Sequence, residues 1–452
     1  MNIKEEEEMI KRFLAVLFAL GLIAVFSIPA AAVDVKFSGY YSVWGFHDDN
    51  HNLGDGDDES PSNDFYSQRL RLNTIFQVTD GLRLTTACDI MEKMWGTERQ
   101  RHFAGGDDVD LPKDESNIDF DKVYVSFDVP FGTFHVGYMP DNQYGTVFGD
   151  DIYTNLGIIR YIGTTGPWTY CAYITKKEEL DANSDESDAD EDWYTAFVNY
   201  NWDSGEAGLL YRYINDATMS DDGTPGPPDE GYKIQGHVLT PYVKATFGPV
   251  YVEGQIYYAF GDDALEWEES GPGREDVDLD SLTAYIMARV DLQQFYVGAQ
   301  FAYAQGDDDP YDDEENGYLG TGTRYNPCLI LGNWEFNHWT GPTGTANGDE
   351  FGVGSQMYNV LFYQVFAGIK PIEKLDIKVS AAYAEPDEEV RGNDDEYGSE
   401  FDITATYKIY DNLSYMVGFG YLCAGDYFEG RDDDRGDTDD NYLVMNKLTL
   451  TF

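Results

Sequence analysis

The chain has 452 residues, with 84 Asp and Glu against 29 Lys and Arg, a formal net charge of −55 and a mean hydropathy of −0.46. A surface this acidic repels nucleic acid and attracts cations, so no nucleic-acid partner is expected. Negative mean hydropathy is incompatible with a helical membrane protein but not with a β-barrel, in which only alternate strand residues touch lipid.

In chain order, Lys11 and Arg12 precede an uninterrupted apolar run, Phe13 to Ile28, followed by Pro29 and Ala30 to Ala32. This is the pattern of a secretory signal peptide with a small-residue cleavage site. The run is shorter than the ~20 apolar residues that a spanning helix needs. Residues 1–32 are therefore read as a leader outside the fold, and the acids Glu5 to Glu8, odd in a leader, suggest translation from Met9. Residues 33–452, with 80 acids against 26 bases (net −54), read as a single domain, because a barrel grows by adding strands and needs no second core.

From Val33 onward, alternating apolar and polar segments recur, joined by connections that are by turns short and long. The short ones are Thr79-Asp80-Gly81, Pro130-Phe131-Gly132, Gly163 to Gly166, Asp203-Ser204-Gly205, Gly248-Pro249, Asp291-Leu292-Gln293, Pro371 to Lys374 and Asp411-Asn412. Their Gly, Pro, Asn and Asp content suits tight reversal. The long ones span 48–63, 93–117, 140–155, 176–191, 217–232, 261–278, 305–355, 385–399 and 424–441. Eight turns and nine loops separate eighteen strands, which makes the fold class all-β, a transmembrane antiparallel β-barrel. An even count puts both termini on the periplasmic side of a bacterial outer membrane, with the long loops outside.

The period of two assigns the faces. Val123, Val125 and Phe127 point to lipid and Tyr124, Ser126 and Asp128 inward; Leu375, Ile377, Val379, Ala381 and Tyr383 face out against Asp376, Lys378 and Ser380. Phe401 to Ile409 repeats this with Asp402, Thr404, Thr406 and Lys408 inside, and the closing strand Tyr442 to Phe452 sets Leu448, Leu450 and Phe452 against lipid. The loop from Gln305 to Ser355 carries an apolar stretch, Cys328 to Trp334, then Phe336 and Trp339. Such residues need cover, so this loop either folds over or into the barrel or extends a strand above the membrane.

Inward positions include Arg69 and Arg71 on one strand and Arg83 on the next, then Arg160, Arg212, Arg289, Lys378, Lys408 and Lys447 as pore lining further round. Asp89, Asp128, Glu253, Asp376 and Asp402 lie among them, so the wall is far less acidic than the chain as a whole. Charged rings of this kind select by charge, and pairing among them keeps the wall hydrated. Inward glycines such as Gly137, Gly298, Gly418 and Gly420 argue against plugging by bulky side chains.

The third long loop, Pro140 to Asn155 (PDNQYGTVFGDDIYTN), follows a strand ending in Gly137-Tyr138-Met139. In position it resembles the loop that folds inward in Gram-negative porins. The leader, the alternation of long loops with short turns, the third loop and the terminal Phe452 extend that resemblance over the whole chain. The resemblance implies a pore constriction in which Asp141, Asp150 and Asp151 oppose Arg69, Arg71 and Arg83, giving a transverse field that orients polar solutes. Eighteen strands also resemble the alginate-export family and the monomeric substrate-specific porins, whose pores bind anionic or amphoteric solutes through arginines. A monomer and a homo-trimer are both compatible with this resemblance.

Cys88, Cys171, Cys328 and Cys423 are far apart and show no metal or haem spacing, so neither a disulfide framework nor a metal centre is expected. Asp307 to Gly317 lacks the ordered spacing of a calcium loop and reads as a solvated acidic segment, with weak bridging of divalent cations to lipopolysaccharide as the alternative. His102, His135, His237 and His338 have no serine or acid at a recognisable spacing, so no enzyme and no cofactor is expected. The reading is an outer-membrane porin, a passive diffusion channel for small hydrophilic solutes and ions, in contact with membrane lipid and lipopolysaccharide. The alternatives are a channel or exporter for an anionic saccharide and a non-conducting scaffold or adhesin barrel.

Overall fold

The computed structural model describes residues 33–54, 62–96, 118–141, 143–150, 155–179, 190–217, 232–266, 277–307, 314–317, 319–336, 356–388, 395–429 and 438–452; the leader lies outside the described residues. The strands are β1 (Asp34–Asp49), β2 (Asn63–Thr79), β3 (Leu82–Met94), β4 (Ile118–Val129), β5 (Gly132–Pro140), β6 (Asn155–Thr165), β7 (Trp168–Glu179), β8 (Asp190–Trp202), β9 (Gly205–Asp216) and β10 (Tyr232–Phe247). They continue with β11 (Val250–Glu266), β12 (Val277–Leu292), β13 (Phe295–Ala304), the two-residue β14 (Glu314–Glu315), β15 (Val360–Ile372), β16 (Leu375–Glu385), β17 (Gly398–Tyr410), β18 (Leu413–Ala424) and β19 (Asn441–Thr451).

Each long strand pairs antiparallel with the next, β13 passes directly to β15, and β19 returns to β1 through Tyr40↔Thr451 to Asp49↔Tyr442. The result is a closed antiparallel barrel of eighteen strands, with β14 lying parallel to β12 as a side branch. Closure pairs the backbone groups of every strand on both edges, the condition for crossing hydrocarbon without a helix. All eight expected reversals are present, each between consecutive strands. Two sit slightly later than the sequence suggests. β6 runs to Thr165 before a turn with Gly166 at φ +58°, and β12 runs to Leu292 before one with Gln293 at φ +56°.

The outer face is an apolar band. Val123, Val125, Phe127, Val136, Ile159, Val379, Phe401 and Ile403 are all exposed, on the parity the alternation assigns to lipid. In water a continuous band of this kind would be an aggregation surface, whereas in a bilayer it is the spanning girdle. The fold and the band together are those of a bacterial outer-membrane barrel.

The principal core lies inside the barrel. Trp44, Phe46, Tyr285, Ala302, Ala304, Phe362, Ala382, Ala384, Leu422, Leu443 and Met445 of the wall pack against Phe148 of the third loop and Tyr325, Cys328, Ile330, Leu331 and Phe336 of the loop after β13. The apolar stretch of that loop has therefore folded into the bore and not above the membrane; Trp339 lies outside the described residues. Two of the inward glycines, Gly418 and Gly420, act against the expectation drawn from them. A Cβ on Gly418 would meet Leu329 Cδ1 at 3.1 Å and one on Gly420 would meet Leu329 Cβ at 3.2 Å, so these glycines make room for the loop and do not keep the bore clear.

Candidate functional site

Two loops narrow the lumen, and each is fixed to the wall by named contacts. The third loop leaves β5 at Pro140, and Asp141, fully buried, accepts from Thr175 Oγ1 on β7 at 2.6 Å and pairs with Arg212 on β9. Arg212 also donates to Thr195 and to Tyr173 and lies over the Trp193 ring at 4.4 Å, so the charge of Asp141 is neutralised where water is excluded. Farther along, Gln255 Oε1 on β11 accepts from both the N–H and the hydroxyl of Thr146 at 2.6 Å. Thr146 then caps a single 3₁₀ turn, Val147–Gly149, whose Phe148 stacks on Tyr285 of β12 at 4.9 Å. Eight residues, 141–148, thus carry the chain from the end of β5 to β12.

The loop after β13 is tied to the wall from β12 to β17. Thr283 on β12 donates to Leu319 O at 2.7 Å, the Tyr325 hydroxyl donates to Gln300 on β13, and Gln364 on β15 donates to Pro327 O at 2.8 Å. Glu400 on β17, fully buried, accepts three successive backbone N–H groups, from Leu329 (3.0 Å), Ile330 (2.9 Å) and Leu331 (2.7 Å). Each such bond left unmade in a buried site costs about 1–3 kcal/mol, so this one carboxylate is the main polar anchor of the segment. Burial pushes the Tyr144 and Tyr325 hydroxyls and the Cys328 thiol of the two loops above their ordinary values.

The loops meet in mid-lumen. Gly322 N–H donates to Phe148 O at 2.8 Å, Arg324 N–H to Asp150 O at 3.1 Å, and the Arg324 guanidinium pairs with the Asp150 carboxylate at 2.9 Å. What remains is a chamber of about 360 Å³ between this junction and the wall of β1, β2 and β19. Tyr40, Ser42, Arg69, Lys447 and Thr449 line it from the wall, and Val147, Thr323, Arg324, Asn326 and Glu335 from the loops. A smaller apolar recess of about 150 Å³ adjoins it, with Phe46, Leu329, Phe336, Met416 and Met445 on its walls.

The residues singled out from the sequence fall into three groups. Arg69 and Lys447 face the chamber: Arg69 pairs with Glu92 and lies 3.6 Å from Asp89, and Lys447 sits over the Trp44 ring at 3.3 Å. Arg71 stands beside Arg69 and holds Asp89 through two bonds of 2.7 and 2.6 Å, with Asp121 as a further partner. Arg160 and Arg212 serve the third loop, Arg160 donating to Pro140 O at 2.8 Å. Arg83 and Arg289 lie towards the short-turn end, paired with Asp128 and Asp291. Lys408, near the same end, is exposed, and Lys378 lies over the Phe366 ring at 5.1 Å.

Arg83 is not grouped with Arg69 and Arg71. Asp141 and Asp150 take Arg212 and Arg324 as ion-pair partners, and Asp151 lies outside the described residues. Sequence reasoning missed Arg324, Gln255, Glu335 and Glu400. Only Glu400 had a readable signal, being two residues before Asp402 on the inward parity of a strand that begins at Gly398.

No family model and no curated protein sequence matches the chain. Solved structures do. The chain is similar to OpdK of Pseudomonas aeruginosa, solved with vanillate (11% identity, 93% of this chain and 98% of that one, TM-score 0.52), and to OccK8 (OprE) of the same organism (13%, 93% and 98%, 0.53). OccK3 (OpdO), also of Pseudomonas aeruginosa, aligns over 92% of this chain and 96% of its own at 10% identity with a TM-score of 0.52. At these identities the likeness is one of fold, that of an outer-membrane porin.

Proposed function

We propose that this barrel is a passive channel for small hydrophilic solutes and ions, and that the chamber against β1, β2 and β19 is its narrow section. The observation that carries the reading is the chamber's lining. Apart from the Trp44 ring, its wall side carries hydroxyls and bases, Tyr40, Ser42, Thr449, Thr451, Arg69 and Lys447, and a surface of that kind replaces the hydration of a passing solute. Movement is diffusion down a gradient, selected by width and by the charge of the lining, and needs no catalytic group. The bidentate Arg71–Asp89 pair, backed by Asp121 and Glu92, holds the neighbouring Arg69 in a fixed position.

A second reading, selectivity for anionic solutes, is supported by one further observation. Arg69, Arg324 and Lys447 face the chamber with Glu335 as the single acid in its lining, and Lys447 has no ion-pair partner among the described residues. That OpdK was solved with vanillate, a small carboxylate, is in keeping with such a lining. The acidic exterior acts in the opposite sense and concentrates cations at the mouth, so lining and mouth favour opposite ions.

The test is the double substitution Arg69→Ala with Arg71→Ala, read as the reversal potential in a planar bilayer under a salt gradient. It removes two cations from beside Asp89, Glu92 and Asp121, so selectivity is expected to move towards cations. Unchanged selectivity would remove this wall from the narrow section. Silence from the folded wild-type barrel would favour a scaffold role.

A further inference from the structure

Glu400 and Asp402 are consecutive inward residues of β17, 0% and 8% exposed, and their carboxyl groups come together with the Cys328 thiol, itself 3% exposed. One ligand atom from each of the three lies within 4.8 Å of the others. Two buried carboxylates this close cannot both stay charged without a shared proton or a shared cation. Among the described residues neither makes an ion pair. The neighbouring base, Lys378 on β16, lies over the Phe366 ring. The three N–H bonds to Glu400 orient it, and the Ser380 hydroxyl reaches Asp402 Oδ2 at 3.3 Å, but Asp402 Oδ1 is fully buried with no hydrogen-bond partner.

Two features bear on access to this cluster. Gly420 on β18 faces it, and a Cβ there would meet Asp402 Oδ1 at 2.9 Å. The apolar recess of the lumen reaches Cys328 and Leu329, which gives an entry path to the thiol. We propose that Cys328, Glu400 and Asp402 bind a borderline-soft divalent transition metal such as Zn²⁺, which staples the inward loop to β17. A thiolate with two carboxylates suits that class of ion, whereas calcium and magnesium take oxygen ligands alone. Such a site is not legible from residue spacing, because Cys328 stands on a loop far in the chain from the two acids and no short spacing joins them.

Full-length barrel, refolded in detergent and stripped with a chelator, is titrated with Co²⁺ and followed by the near-ultraviolet thiolate-to-cobalt absorption. Ions held loosely by the acidic exterior do not produce this band. The band is expected to saturate at stoichiometric cobalt, to vanish on addition of Zn²⁺, to be absent in Cys328→Ser and to persist in Cys171→Ser. Asp402→Asn should weaken binding on the order of tenfold or more, and heat-modifiable gel mobility confirms that each variant is folded. No band from folded wild type would overturn the site and leave a shared proton between the two acids. A band that survives Cys328→Ser would overturn it in favour of another thiol.

Discussion

Two stretches of the inner wall, built by the same alternation, behave in opposite ways. On β1, β2 and β19 the inward side chains bordering the chamber are Tyr40, Ser42, Trp44, Arg69, Lys447, Thr449 and Thr451, and this part of the wall stays open. On β13, β16 and β18 the corresponding positions are Ala302, Ala304, Ala382, Ala384, Gly418 and Gly420, and this wall is covered by the loop carrying Leu329 to Leu331. Small inward residues leave concave apolar surface that gains little from water, and an apolar segment gains about 1.5–3 kcal/mol for each large side chain it buries there. Charged and polar residues lose their hydration under the same cover, and Glu400 and Gln364, which lie there, are bonded to the loop backbone instead. The free cross-section of this barrel is therefore set by which inward positions are small, as much as by the number of strands.

The largest break in that contrast should come from Glu400→Ala. It leaves three loop N–H groups without their acceptor, a loss of about 3–9 kcal/mol of loop docking at about 1–3 kcal/mol each. Single-channel conductance is expected to rise several-fold while heat-modifiable mobility shows an intact barrel. Unchanged conductance would mean that packing alone holds the loop.

Gly420→Val attacks the same surface by filling it. Its Cβ would meet Asp402 Oδ1 at 2.9 Å and Leu329 Cβ at 3.2 Å, and overpacking of this kind costs about 1–3 kcal/mol. Faster proteolytic cleavage within 319–336 is the expected readout, and wild-type protection would show that the loop is not seated on this glycine. On the open wall, Lys447→Ala should move the reversal potential towards cations and leave barrel stability nearly unchanged. A shift towards anions would contradict the assignment of this wall to selectivity. The smallest effect is expected from Arg83→Ala, whose pair with Asp128 is about 35% and 46% exposed and so contributes under ~1 kcal/mol. A large change in selectivity from this variant would move the narrow section to the short-turn end.

The architecture was legible because its signals are local. Turn residues such as Asp80-Gly81 and Gly248-Pro249 mark reversals by their own conformational preferences, and strand parity needs only neighbouring residues. The packing of the lumen was less legible because it depends on contacts between distant segments. Asp141 carries no mark of its partner Arg212, which lies 71 positions away on another wall, and Arg324 reaches Asp150 across 174. Glu400 was missed for a smaller reason: the strand was taken to begin at Phe401, while pairing from Gly398↔Ala424 adds Gly398 and Glu400 on the inward parity. The glycines at 418 and 420 were read as empty space because an absent side chain does not reveal what fills its place.

Single-channel recording from the purified barrel, residues 33–452, in a planar bilayer under a salt gradient tests the central claim most directly. A steady, ohmic and small conductance, enlarged when Glu400 is replaced by Ala, is the result expected of a lumen narrowed to one chamber by two inward loops. Silence from folded, heat-modifiable wild-type barrel would contradict the channel, and a wide conductance indifferent to Glu400 would contradict the loops as its narrow section.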